Sequence, residues 1–79
     1  MELAPNDANA LKFLGATLAQ QRKLAEAEPL LRRAVKLNPR AAMTHSSLGF
    51  TLLNLGKFEE AVAAFRRAIE LDPKMAMAH

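Results

Sequence analysis

The chain has no cysteine, tryptophan or tyrosine, only three glycines, and only two histidines. Without cysteine it can form neither a disulfide nor a thiolate metal site. The glycines stand apart at 15, 49 and 56, so there is no glycine-rich loop to cradle a phosphate. His45 and His79 have no carboxylate or thiolate three or four residues further on, the spacing at which a helix would bring a second metal ligand onto the same face. Thr44, Ser46, Ser47 and Thr51 lie close to His45 in sequence, but on a helical pattern rather than the strained turn that exposes a nucleophilic serine. No catalytic residues, cofactor or metal are therefore expected, and the chain does not read as an enzyme.

Long apolar runs are also missing. No stretch approaches the roughly 20 residues needed to span a bilayer, and the opening Met-Glu-Leu-Ala-Pro lacks the basic start and apolar stretch of an export signal. With the absence of cysteine, this points to a cytoplasmic setting without a membrane role. The net charge is only +3, from 11 basic and 8 acidic residues. The signs are interspersed, which argues against nucleic acid as the partner.

What the chain does contain is alanine, leucine and a period. Of 79 residues, 16 are alanine and 13 leucine, so the apolar half is rich in small side chains. Pro5, Pro39 and Pro73 are separated by 34 residues each (39 − 5 and 73 − 39). Each closes a similar phrase: Glu2-Leu3-Ala4-Pro5, Lys36-Leu37-Asn38-Pro39, Glu70-Leu71-Asp72-Pro73. Setting residues 8–41 against 42–75 gives 13 identities in 34 positions, among them Leu14/Leu48, Gly15/Gly49, Ala27/Ala61, Arg32/Arg66 and Ala34/Ala68. A fixed period of this length marks a stacked-repeat architecture.

Within each copy the apolar residues recur at three and four. Leu11, Leu14, Gly15 and Leu18 form one stripe; Leu24, Ala27, Leu31, Ala34 and Leu37 form another. The second copy repeats both, with Leu48, Gly49, Leu52 and Leu55, then Phe58, Ala61, Phe65, Ala68 and Leu71. That spacing predicts four amphipathic helices near 8–21, 24–37, 42–55 and 58–71. Asp7 is placed to cap the first, and Gly56 suits a reversal that needs left-handed backbone. Asn38 and Asp72 precede prolines, which disfavours helical backbone there and ends each copy. Arg22 stands where Gly56 stands in the second copy, and Pro29 falls inside the second helix, where a slight kink is expected.

These residues resemble the tetratricopeptide repeat. That family's pattern is met by Leu11, Leu14-Gly15, Leu18, Ala27, Leu31, Ala34 and Pro39. It is met again by His45, Leu48-Gly49, Leu52, Ala61, Phe65, Ala68 and Pro73. The resemblance implies an all-α fold, an α-α superhelix of antiparallel helix hairpins forming a solenoid. One segment of 79 residues would hold repeat one at 8–41, repeat two at 42–75 and partial repeats at 1–7 and 76–79. The small residues would let paired helices approach, with Leu14, Leu48, Leu31 and Phe65 filling the space between them.

The resemblance also places a ligand-contacting concave surface on the first helix of each repeat. Its residues would be Asn9, Lys12, Ala16, Ala19 and Gln20, then Met43, Ser46, Phe50, Leu53 and Asn54. Lys12 matches the first lysine of the carboxylate-clamp subtype, but Ala16 stands where that clamp has asparagine. The asparagine ladder of another subtype would fall on Phe13 and Ser47. Neither mode is supported, which leaves an apolar patch of Met43, Phe50 and Leu53 suited to an extended or helical peptide.

Arg32-Arg33 and Arg66-Arg67 repeat on the second helices. They read as a solvated outer face with local pairs Glu28/Arg32 and Arg66/Glu70, rather than as a phosphate-binding ridge. The expected function is a scaffold that binds a peptide or partner protein in its groove, as part of a longer array. The alternative is a substrate-recruiting segment of a larger enzyme such as a transferase. Bare repeat faces would also favour self-association into a homo-oligomer.

Overall fold

The computed structural model describes residues 7–73. The proposed partial repeats at both ends, apart from Asp7, and His79 lie outside those residues. The described chain forms four helices: α1 (Ala8–Gln20), α2 (Leu24–Leu37), α3 (Ala42–Asn54) and α4 (Phe58–Leu71). None is long and apolar enough to cross a membrane.

Each boundary has a local cause. The Asp7 carboxylate accepts from the backbone N–H groups of Asn9 (3.0 Å) and Ala10 (3.3 Å), satisfying two of the donors that a helix start leaves free. The two hairpin turns share one hydrogen-bond pattern. After α1, Lys23 N–H donates to the Leu18 carbonyl and Arg22 N–H to that of Ala19; after α3, Lys57 donates to Leu52 and Gly56 to Leu53. This is the Schellman closure, which requires one left-handed residue. Gly56 supplies it at φ 83°, and Arg22 adopts it at φ 68° despite carrying a Cβ.

Helix α2 runs unbroken through Pro29. The bond that Pro29 cannot donate would have gone to the carbonyl of Ala25. Both residues are exposed, so water can meet that carbonyl.

The helices pair as hairpins, α1 with α2 and α3 with α4, and the hairpins join mainly through α2 and α3. Ala27, Leu31, Ala34, Leu52, Ala61 and Ala68 are all but sealed from solvent. Close approach within each hairpin depends on glycine. A Cβ on Gly15 would fall 2.7 Å from Leu31 Cγ, and one on Gly49 would fall 3.1 Å from the Phe65 ring.

Leu31 and Leu48 are buried and Phe65 is partly so, but Leu14 is not, and Leu48 owes its cover to α2 rather than to its hairpin partner. Leu14 is 41% exposed, whereas Leu48, 34 residues on, is 7% exposed. The reason lies in the stacking. This position faces the repeat before its own, not the partner helix of its hairpin, and α2 covers it only in the second repeat.

Candidate functional site

Helices α1 and α3 line between them a hollow of about 340 Å³, with Ala16, Ala19, Gln20, Met43, Ser46, Ser47 and Phe50 around it. Sequence reasoning named six of these seven and missed Ser47. The helical register explains how they meet. Ala16, Ala19 and Gln20 lie three and four apart on α1, as do Met43, Ser46, Ser47 and Phe50 on α3.

Small side chains on α1 make the floor. Met43 (64% exposed) and Phe50 (47% exposed) stand over it with their apolar surface in water. Gln20, Ser46 and Ser47 add donors and acceptors. The hollow is therefore mostly apolar, with polar groups at its margin, a composition suited to recognition.

The other four expected residues do not line this hollow. The Lys12 ammonium sits over the Phe13 ring, 4.9 Å from its centroid, a cation–π contact. Asn54 donates to the carbonyl of Phe50 at 2.8 Å, which ties its amide to its own helix. Asn9 and Leu53 are exposed.

His45 is buried, and its Nε2 lies 2.9 Å from the carbonyl oxygen of Pro39. A carbonyl can only accept, so that nitrogen carries the proton and donates. The ring thus ties the first turn of α3 to the loop between the hairpins. Thr51, fully buried, satisfies its hydroxyl on the carbonyl of Ser47 at 3.0 Å. Among the described residues no cluster of three or more His, Cys, Asp and Glu could hold a metal ion.

The opposite face carries the arginines and is more organised than a solvated ridge. Glu28 lies at the centre of an ion network. It accepts from Arg32 Nε at 2.9 Å and from Lys57 Nζ at 3.0 and 3.1 Å. Arg32 reaches on to Glu60. The expected Glu28/Arg32 pair is present, and two contacts to the next hairpin extend it.

Glu28 is held below the usual carboxylate range, first by the Lys57 hydrogen bond and then by that of Arg32, against an opposing push from burial. The Arg32 guanidinium is pushed up in turn by its bonds to Glu60 and then Glu28. The Arg66/Glu70 pair does not form; Glu70 bonds Arg67 instead, at 3.3 Å. Arg67 lies three residues before Glu70, also within helical reach. Arg66 projects from α4 at the place Arg32 holds on α2; Glu59 and Glu70 line the same shallow hollow, but no carboxylate among the described residues comes within 4.0 Å of its guanidinium.

Two antiparallel helix hairpins of equal length, stacked with one register and one turn geometry, define an all-α helical-repeat protein. Family models of the tetratricopeptide repeat match residues 8–41 and 42–75. The chain belongs to that family, whose repeats generally mediate protein–protein interaction. No curated protein matches the chain.

Proposed function

We propose that this chain is a protein-interaction module that seats an extended or helical segment of a partner in the hollow between α1 and α3. Residues 8–41 and 42–75 act as two repeats of one continuous surface. The observation that supports this is Phe50 and Met43 on one side of the hollow, two large apolar side chains exposed to water across from Ala16 and Ala19. Apolar anchors dominate the energetics of such contacts, while surrounding polar groups fix orientation. The serines and Gln20 suit the main-chain groups of a bound segment. The small floor residues leave it room.

Selection of random peptides displayed on phage against the full chain tests this. Selected peptides are expected to lose at least about tenfold in affinity to Phe50→Ala, in keeping with loss of a buried aromatic anchor. Ala16→Arg, which fills the hollow, should abolish binding. Affinity held by the hollow changes little between about 50 and 200 mM salt, whereas contacts made through an arginine ridge fall steeply over that range. Peptides that ignore both substitutions, or that bind only at low salt, would overturn the proposal.

A further inference from the structure

The two hairpins contain their own template for association. At their junction α3 lies along α2 and brushes α1. Leu48 is covered there, and so are Thr51 and, in part, Val35. Moving 34 residues along the chain turns each half of that junction into a surface at the opposite end of the molecule. The covered side of α3 corresponds to α1, where Leu14 and Thr17 are exposed instead. The covering side of α2 corresponds to α4, where Val62 is 52% and Ile69 44% exposed. Among the described residues nothing packs on either surface.

We infer that a second copy of this chain docks head-to-tail, its α1 lying on the first copy's α4 as α3 lies on α2. Charge selects this arrangement. Arg32 crosses the internal junction to Glu60, and the residues 34 away from that pair are Arg66 and Glu26. Both are exposed, on opposite ends of the molecule, and neither has an ion partner within 4.0 Å among the described residues. Docking by the internal template brings them together.

The other internal contact, Lys57 on Glu28, becomes Lys23 on Val62. There the lysine stem covers apolar surface in place of an ion pair. A symmetric pairing of two α4 faces would instead set Arg66 and Arg67 of one copy near their counterparts in the other. Because the two docking surfaces differ, the contact is heterologous and propagates beyond a dimer. It leaves the concave hollow untouched, so it stands apart from the peptide-binding proposal.

Blocking one surface at a time provides the test. Sedimentation velocity on the full chain is expected to show mass that rises with concentration without settling at a dimer. Leu14→Glu spoils the α1 surface and Ile69→Glu the α4 surface, so each variant alone should be monomeric. Mixed, they should form a 1:1 dimer and stop, because one intact surface of each kind remains.

A wild-type chain that is monomeric throughout overturns the inference. So does a Leu14→Glu chain that still dimerises, or a mixture that does not. The charge pair gives a second route that touches only exposed side chains and so serves even if Leu14→Glu fails to fold. Arg66→Glu should weaken association several-fold, and adding Glu26→Arg should restore it. Equal weakening in the single and double variants would count against the docking mode.

Discussion

Gly15→Ala and Gly49→Ala make the same chemical change at equivalent places in the two repeats, and the structure assigns them different outcomes. Both gain about 1 kcal/mol of helix propensity, since glycine is the poorer helix former by that amount. Both also push a methyl group into the partner helix of the hairpin. At Gly15 the new Cβ would lie 2.7 Å from Leu31 Cγ and 2.9 Å from Cδ2, with the Ala27 carbonyl oxygen at 3.5 Å.

Leu31 is fully buried, and Cγ is a branch point rather than a flexible end, so α1 and α2 must separate. Overpacking of this kind costs about 1–3 kcal/mol, and the closeness of the clash argues for the upper part of that range. The net loss for Gly15→Ala is therefore about 1–2 kcal/mol. At Gly49 the nearest atoms are three carbons of the Phe65 ring, all at 3.1 Å. That ring is only half-buried and can pivot by a few tenths of an ångström toward solvent. Gly49→Ala should therefore change stability by less than about 0.5 kcal/mol in either direction.

Thermal and urea unfolding followed by circular dichroism read the difference. In a domain of this size each 1 kcal/mol moves Tm by about 4–8 °C, so Gly15→Ala should melt about 5–15 °C below wild type and Gly49→Ala close to it. The urea slope should be unchanged in both. If Gly15→Ala were as stable as wild type, or Gly49→Ala were the more damaging, the proposed packing of Leu31 and Phe65 would be wrong.

Other outcomes follow from features already described. Arg22→Gly relieves a left-handed backbone that costs a residue with a Cβ about 1–2 kcal/mol, offset in part by the freer unfolded chain; Tm should rise by a few degrees, and Gly56→Ala should lower it. Glu28 titrates below its ordinary value of 4.5 in the folded chain. A depressed folded value contributes stability that is present above the unfolded value and lost as pH falls through the folded one. Urea midpoints should therefore hold near neutrality and decline below about pH 4.5, with a shallower decline in Glu28→Gln. Ala68→Leu, at a position sealed against α3, should lose about 1–3 kcal/mol by overpacking; a thermal melt without loss would contradict a close hairpin there.

The helices are legible in the sequence because burying one face of a helix imposes a period of three and four. The hairpins are legible because the reversal needs left-handed backbone, which Gly56 announces. Arg22 conceals the same turn, and only the matching register of the second repeat points to it. Most of the hollow is legible too, since the family register fixes which residues of α1 and α3 face inward.

What period and spacing do not convey is which element lies on the far side of a residue. Leu14 and Leu48 are identical in local sequence role, yet one is exposed and the other covered, because among the described residues only α3 has a hairpin before it. The reach of long side chains is equally hidden. Glu28 to Lys57 and Arg32 to Glu60 are 29 and 28 residues apart, and no local rule pairs them.

The same stacking governs how the molecule comes apart. Among the described residues helix α4 packs chiefly against α3, and its ties to α2 include the Arg32–Glu60 ion pair, between side chains 44% and 52% exposed, a class of contact that contributes little. Helix α3, by contrast, is held by all three of the others. The amides of α4 should therefore exchange with solvent deuterium through an opening that leaves α2 and α3 intact, at a lower free energy than global unfolding. The slowest-exchanging protons should gather in the middle of the chain, around Leu31 and Leu52, so that protection falls off from the centre toward either end.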